Sequence, residues 1–558
     1  MEIDNRRKII FFYNIPFGGI WEHIGIAYLT SYMRSKHWDA KIINIQTEKQ
    51  NIERIVLEYK PFLLGFNAVS PNLEKMVILS SKLKNLLDNS FVIFGGVAPS
   101  AMPRLLLKKY KGIDIIVIGE GEHTLYEVSE RLLLKKSLVG CRGIAYRNRG
   151  KIQVEEPRPL IEDLNSLPFP ARDMLYNIYQ SKYYNNTTFL SSSRGCVSNC
   201  SFCDNFMLRD QPGKNWRGIN PKRVVDEIEL LTKTRRFHLF HFQDRTFEDP
   251  GILGKKRIEN IANEIIQRSL DITYTICTRS DSWDEDDNKL IDLLRKSGLC
   301  GVQLGIEAGT DRTLRLFNKG QKVHHIIKAV SLFNKKHIAI DPGFIMFHPY
   351  STIDELKQNR VFLEKLGLGY MWKLFITRLE ITPRTKIFKK IENDGLLITN
   401  NYQDLYNYKY IDKNVEFISN NLAENKDSYT VLKLSDEFHS LSSNFISYIH
   451  LKLWEFIKLR EKIINIDKQI LELQERISKV CIKYFDKLLE NLSNAERCKF
   501  IIESGNKRLS KGYKTSIRII RKLMLQLSLL ARRHSIHDSL IGINSYGGKI
   551  FDNKKEDI

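Results

Sequence analysis

Cysteine is scarce in this chain: eight residues in 558, at positions 141, 196, 200, 203, 277, 300, 481 and 498. So sparse a set builds no disulfide framework and fits a reducing compartment, the cytoplasm by default. Long apolar runs are missing too. None approaches the roughly 20 residues of a membrane span. The opening run MEIDNRRKIIFFYN passes straight from charges into a strand and has no signal-peptide cleavage region. Acidic residues are the minority, 65 against 87 Lys and Arg, for a net charge of +22. That balance invites a nucleic-acid or acidic-peptide reading. The lysines are widely dispersed among Ile and Asn, however, as a bias in genome composition would also leave them, so nucleic acid is not an expected partner. What is present, 42% hydrophobic and 10% aromatic residues, can fill the cores of about three or four domains.

Three of the eight cysteines stand together, as Cys196, Cys200 and Cys203 in SSSRGCVSNCSFCDN. Three thiolates at C-x3-C-x2-C spacing can ligate three irons of a [4Fe-4S] cluster. With no fourth cysteine nearby, one iron keeps an open position that an amine and a carboxylate of a small molecule can chelate. A structural zinc site wants four ligands in paired elements. The nearest downstream histidines, His238 and His241, sit at x2 spacing in the strand-like FHLFHFQD and make a poor second pair.

Residues 8–14, 40–45, 62–67, 91–96 and 113–119 are short apolar runs separated by helical stretches such as 26–36 and 72–87. This alternation predicts a parallel sheet with helices on both faces. Ligands of such sheets lie beyond the carboxyl ends of the strands. Those ends carry Gly18-Gly19, Asn67 to Ser70, Gly95-Gly96 and Gly119-Glu120-Gly121-Glu122. Glycines there admit a flat, bulky ligand close to the backbone; tight strand-to-helix turns are the plainer reading of any single pair. From 185 onward six further strand patterns alternate with helices, over 187–193, 237–244, 272–279, 301–309, 339–347 and 371–381. They predict an incomplete TIM-like barrel whose active site lies at the strands' carboxyl ends, where the cysteine loop follows the first strand.

The cysteine spacing, Phe202 before the last cysteine and the preceding TTFLSSSRG together resemble the radical S-adenosylmethionine (SAM) superfamily. Residues 8 to 170, with IDIIVIGEGEHTLYEV, look like the cobalamin-binding domain that precedes the radical SAM core in one large subgroup. The resemblance implies an α/β protein: a Rossmann-like cobalamin-binding domain over 1–150, a linker over 151–184, a partial (β/α)6 TIM-like radical SAM barrel over 185–395, and a helical C-terminal domain over 396–558. It implies three cofactors, a [4Fe-4S] cluster on Cys196, Cys200 and Cys203, SAM, and cobalamin. SAM contacts are expected from Phe202, Asp244, Arg279 and Glu307, and cobalamin contacts from Gly19, Asn67, Ser70, Gly95, Gly96, Gly119, Glu120 and Gly121. Many cobalamin proteins ligate cobalt through the His of D-x-H-x-x-G. Here Pro16 stands at that place and His23 is out of register, which implies cobalamin without a histidine on its lower face. The run GFIMFHPYSTIDEL departs from the usual fifth-strand pattern, which weakens any assignment of adenine contacts to His348 or Pro349.

The implied reaction begins with one electron from a donor such as flavodoxin or ferredoxin. SAM is cleaved to a 5′-deoxyadenosyl radical, hydrogen is abstracted from an unactivated carbon, and methylcobalamin delivers a methyl group. The substrate would be a peptide or natural-product intermediate in a biosynthetic pathway. Rearrangement, cyclisation or epimerisation without methyl transfer, and a non-catalytic cobalamin- or cluster-binding protein, are the alternatives. A methylthiotransferase acting on tRNA would carry further N-terminal cysteines, and none precedes Cys141.

Residues 400–414, rich in Asn and Tyr, read as a linker. Beyond them Phe456, Leu459, Ile463, Ile466, Ile470, Leu473, Ile477, Val480 and Tyr484 alternate steps of three and four, a 3.5-residue seam. It fits a helix in a C-terminal bundle, with a dimeric coiled coil as the alternative. The basic run 517–533 reads as a helix that buries an apolar stripe or as one that touches a membrane or an acidic peptide.

Overall fold

The computed structural model describes residues 6–15, 21–49, 51–87, 89–175, 187–235, 237–398, 404–492 and 494–534. The first unit is a seven-stranded sheet of order β2-β1-β3-β4-β5-β6-β7. Its strands are β1 (Lys8–Tyr13), β2 (Asp39–Asn44), β3 (Leu63–Asn67), β4 (Phe91–Gly95), β5 (Ile115–Val117), β6 (Ile144–Asn148) and β7 (Lys151–Val154). The first five are parallel. Their side chains alternate between two dry faces: Ile10, Phe12, Leu64, Phe66 and Phe94 pack on one, Ile9, Phe11, Leu63, Ile93 and Ile115 on the other. Burial on both faces is why these strands read as continuous apolar runs. Strand order reverses between β1 and β3, a topological switch point that opens a crevice at the carboxyl ends. The β6–β7 hairpin is antiparallel, and its second strand lies in the stretch 151–184 that was expected to be a linker. Its turn places Arg149 and Gly150 at φ 48° and 80°, the left-handed pair that a two-residue hairpin needs.

The second sheet is all parallel, in the order β14-β13-β12-β11-β8. Its strands are β8 (Thr187–Leu190), β11 (Leu239–Phe242), β12 (Thr273–Arg279), β13 (Leu299–Glu307) and β14 (Ala339–Phe344). A short antiparallel pair, β9 (Ser193–Arg194) with β10 (Arg217–Gly218), caps the carboxyl end of β8. Tyr274, Ile276, Val302, Leu304, Ile306 and Ile340 are buried in the core. The alternate positions Thr275, Gly301, Gln303, Ala339 and Asp341 line a cavity inside the barrel.

The sixth expected strand, 371–381, does not form. A short 3-10 helix, Trp372–Phe375, takes its place, and a single parallel bridge joins Phe347 to Arg378. The reason lies in what Trp372 packs on. Its ring stacks 4.3 Å from that of Tyr484, and its backbone N–H donates to the Tyr513 hydroxyl at 3.1 Å. The C-terminal helices claim the groups that a strand would have given to the sheet.

Those helices include Lys426–His439, a π-helical turn Ser440–Asn444, Phe445–Lys452, Ile457–Glu490 and Ala495–Arg533. The apolar seam Leu459, Ile463, Ile466, Ile470, Leu473, Ile477 is buried within the chain, against the last helix. A Cβ on Gly505 would come within 2.6 Å of the Tyr484 ring, so the close approach of these helices requires glycine there. The basic run 517–533 buries Ile517, Ile520, Leu523, Met524, Leu527 and Ala531. No helix among the described residues is long and apolar enough to cross a membrane. The Asn- and Tyr-rich segment is not a loose linker where it is described: Tyr408 donates to the Leu379 carbonyl at 2.8 Å, and Tyr410 bonds Ser419 at 2.6 Å.

Candidate functional site

The site begins with a cleft over the carboxyl ends of the first sheet, about 1210 Å³ counting its open mouth. Phe11, Gly65 to Asn67, Ile93 to Gly96, Val117 and Gly119 to Glu122 form one wall. Ser191, Ser193 to Gly195, Gln243 and Arg245 of the second unit form the other. Gly96 has φ +100°, and a Cβ on it would lie 2.7 Å from the Ala68 carbonyl oxygen. Gly95 differs. Its Cβ would meet only the Val117 carbonyl oxygen, at 3.9 Å, so the missing side chain leaves open space. A floor of this kind, apolar and bare of Cβ atoms, fits a large flat macrocycle such as cobalamin.

Of the residues expected to contact cobalamin, Asn67, Gly95, Gly96, Gly119, Glu120 and Gly121 line the cleft. Gly19 and Pro16 lie outside the described residues. Ser70 does not line it: it is buried in the turn Ser70–Asn72 that opens the next helix. Glu120 faces the cleft but is committed elsewhere. Its carboxylate accepts from Arg194 at 3.1 Å, from Arg217 at 2.8 Å and from the Ile161 backbone at 2.8 Å. Burial would raise its pKa, yet the two guanidinium groups win and hold it below the ordinary value. His23 caps the helix Ile24–Ser35, its Nδ1 accepting from the Ile26 N–H at 3.3 Å. Burial pushes its pKa down, and it is not among the residues lining the cleft.

The cysteine loop leaves β9 through Gly195, whose φ is +89° and where a Cβ would sit 1.7 Å from the Asn215 carbonyl oxygen. Only glycine fits immediately before Cys196. The loop is then tied down at several points: Ser201 N–H donates to Phe317 O at 2.7 Å, Ile387 N–H to Ser201 O at 2.9 Å, and Val197 N–H to Asp249 at 3.2 Å. Cys196 and Cys200 are buried and Cys203 is half-buried. Burial pushes the Cys196 and Cys203 thiols up. Three thiolates on one short loop suit one thiolate per iron of a cluster.

Next to the loop, at the strand ends, is a polar group. Arg279 Nη1 lies 3.9 Å from Cys200 Sγ, and its Nη2 donates to the Lys319 carbonyl at 2.6 Å and to Asp281 at 2.6 Å. Lys319 Nζ donates to Glu307 Oε1 at 2.8 Å. Burial works against the charge of Lys319, but Glu307 beside it holds its pKa above the ordinary lysine value. Glu307 itself has φ +66°, at a register shift between β13 and β14. Such a conformation is strained for any residue with a side chain. Charged donors and acceptors beside the cysteines are what an amino-acid moiety of SAM requires.

The other two expected SAM contacts, Asp244 and Phe202, have protein partners of their own. Asp244 is 1% exposed and fully used, accepting from Ser192 N–H at 3.0 Å, from Ser192 Oγ at 2.8 Å and from Ser193 Oγ. It shapes the approach to the cysteine loop instead of facing the cleft. The residues on either side of it, Gln243 and Arg245, line the cleft. The Phe202 ring packs edge-on against Phe317, 5.3 Å between centroids. Glu248 was not anticipated. It accepts from the Arg279 N–H at 3.1 Å, and burial pushes its carboxyl up to about 7.

Comparison with known proteins agrees with this geometry. A B12-binding domain model matches residues 12–129 and a radical SAM superfamily model matches residues 190–363. An uncharacterised methyltransferase of Pyrococcus horikoshii is 31% identical over 386 residues, 68% of this chain and 80% of that protein. The anaerobic magnesium-protoporphyrin IX monomethyl ester cyclase of Rubrivivax gelatinosus is 28% identical over 352 residues, 61% of each chain. Among solved structures, the cobalamin-dependent SAM radical enzyme OxsB, with aqua-cobalamin and SAM bound, superposes with a TM-score of 0.67. It is 18% identical and is covered over 83% of its length by 97% of this chain, a likeness of fold. The chain belongs to the cobalamin-binding radical SAM enzymes. Its cofactors are cobalamin, SAM and the [4Fe-4S] cluster of the radical SAM superfamily.

Proposed function

We propose that this enzyme transfers a methyl group to an unactivated carbon of a peptide or natural-product intermediate. One observation carries the proposal. The cleft over the first sheet is walled on its far side by Ser191, Ser193, Arg194 and Gly195, which lead directly into the cysteine loop, and by Gln243 and Arg245 just beyond β11. A cobalamin bound in this cleft would adjoin the loop that would hold the cluster. When bound, the cofactors supply a 5′-deoxyadenosyl radical to abstract hydrogen and a cobalt-borne methyl group for the carbon so activated.

The chain's own part is placement. Cys196, Cys200 and Cys203 would hold the cluster, while Arg279, Lys319 and Glu307 would receive the charged end of SAM. Gly95, Gly96, Gly119, Gly121 and Asn67 would floor the cobalamin site. Arg245, steadied by Asp204 at 2.9 Å, stands at the wall between the two. The electron comes from a small carrier such as flavodoxin or ferredoxin, and the eight free cysteines fit a cytoplasmic enzyme. The cyclase relatives favour a second reading on the same cofactors, a rearrangement or cyclisation without methyl transfer.

The test is anaerobic expression with cobalamin, followed by cobalt and iron analysis and a SAM-cleavage assay of wild type and Cys203→Ala. The variant is expected to keep cobalt and lose all 5′-deoxyadenosine formation. Undiminished cleavage by Cys203→Ala overturns the assignment of the cluster. Cobalt-free wild type that still cleaves SAM makes the first domain a scaffold.

A further inference from the structure

Three side chains from separate elements converge near the start of β14, away from the cofactor cleft. His337 lies in the turn before β14, His450 in the helix Phe445–Lys452 and Asp467 in the helix Ile457–Glu490. One donor atom of each lies within 4.8 Å of the other two, and no other trio of His, Cys, Asp or Glu among the described residues does this. His450 Nε2 is 2.5 Å from Asp467 Oδ2. The second carboxylate oxygen, Oδ1, is buried without a hydrogen-bond partner, a costly condition for a carboxylate unless something else satisfies it. His337 is exposed at φ +51°, and its ring lies flat on that of His450 at 3.7 Å and 6°. The Arg295 guanidinium is engaged elsewhere, donating to Leu299 O, Ser447 Oγ and Ser447 O. A cavity of about 970 Å³ counting its open mouth adjoins the trio, lined by His337, Asp467, Ser447, Leu471 and Gln474 among others.

We propose that His337, His450 and Asp467 form a site for a divalent transition-metal ion of the zinc type, with water from the adjoining cavity completing the shell. Two imidazoles and one carboxylate are an ordinary donor set for such an ion. The exposed His337 ring turns out of its stack to coordinate, and the orphaned Asp467 Oδ1 gains a partner. The ion then ties the turn before β14 to two helices of the C-terminal bundle. Its role is structural, distinct from the cobalt and iron of the reaction.

The test is zinc content after desalting, together with thermal stability with and without added zinc, on the full-length cluster-loaded enzyme. Thiolates left free by incomplete loading also take zinc, so the same measurements are repeated on the full chain carrying Cys196→Ala, Cys200→Ala and Cys203→Ala. About one zinc per chain and a higher Tm with zinc are expected in both proteins. Both effects are lost in His337→Ala, whose exposed side chain contributes little to folding, and in Asp467→Asn. Retention of zinc in His337→Ala overturns the proposal, as does a triple-alanine chain that binds none. If Asp467→Asn lowers Tm equally with and without zinc, the His450–Asp467 pair is a structural bond only and the proposal fails.

Discussion

Arg194 Nη2 donates to Glu122 Oε1 at 2.6 Å, so the residue two places before Cys196 is bonded to the helix that follows β5 of the first sheet. The same guanidinium reaches Glu120 at 3.1 Å, and Glu120 also takes Arg217. All four groups are largely buried, with side-chain exposures of 17% or less. The cysteine loop and the cobalamin sheet are therefore held together by charge in a low-dielectric setting. Removing one partner of such a network leaves an uncompensated buried charge, at about 3–5 kcal/mol. Arg194→Ala is expected to lose that much stability in urea denaturation of the apoprotein. Arg194→Lys should restore little, since an ammonium cannot fork to two carboxylates. A loss below about 1 kcal/mol, the worth of an exposed pair, would mean the network does not clamp the two units.

Much of this arrangement is legible in the chain, and the unread parts share a cause. The five parallel strands of the first sheet announce themselves because both faces are dry, and Cys196, Cys200 and Cys203 announce themselves by spacing. Residues 371–381 look like a strand because Trp372, Leu374 and Phe375 are apolar, but the partner that buries them, Tyr484, lies more than a hundred residues away. No local pattern reveals that competition. The resemblance singled out Asp244 and Glu120, and each stands just beyond the carboxyl end of a strand. What they bond to is set by Ser192, Ser193, Arg194 and Arg217, all brought in by tertiary folding. The hairpin at Arg149-Gly150 is the exception, since its turn chemistry stood in the sequence and passed unread.

Gly95 and Gly96 separate a functional glycine from a structural one. A side chain on Gly95 enters open space above the cleft floor, and β4 accepts a β-branched residue readily. Gly95→Val is expected to fold with a Tm close to wild type and to lose most of its cobalt after anaerobic reconstitution. Gly96→Ala meets the Ala68 carbonyl oxygen at 2.7 Å with φ +100°, so it loses stability first, by at least about 1–2 kcal/mol. Cobalt content and Tm of both variants check the distinction. Full cobalt loading in Gly95→Val would move cobalamin away from this floor.

Glu307 joins a strained backbone to a buried ion pair, and the two can be pulled apart. Glu307→Ala and Glu307→Gly each leave Lys319 without its carboxylate, so both are expected to abolish SAM cleavage. Only glycine relieves the strain at φ +66°. Relief of about 1–2 kcal/mol, less part of glycine's extra unfolded-state entropy of about 0.5–1 kcal/mol, leaves Glu307→Gly the more stable variant. Chemical denaturation of the pair measures this directly. An alanine variant equal to or more stable than the glycine variant would show that the backbone there carries no strain.

Glu248 predicts a pH dependence opposite in sign to that of a salt-bridged carboxylate. Its side chain is buried, and burial raises its pKa from 4.5 to about 7. The folded state thus binds the proton more tightly than the unfolded state, and stability must fall as pH rises between those values. The penalty is absent below pH 4.5 and complete above pH 7. A shift of this size corresponds to about 3 kcal/mol. Glu248→Gln keeps a carbonyl oxygen to accept from the Arg279 N–H and has no proton to lose. It is expected to match wild type near pH 4.5 and to exceed it by up to about 3 kcal/mol at pH 8, in denaturation of the apoprotein at the two pH values. If wild type and variant keep a constant difference across that range, Glu248 titrates normally and a counter-charge must reach it in solution. If the variant gains stability yet loses SAM cleavage, the buried carboxyl is kept for its hold on Arg279, and through Arg279 on the loop that carries Cys200.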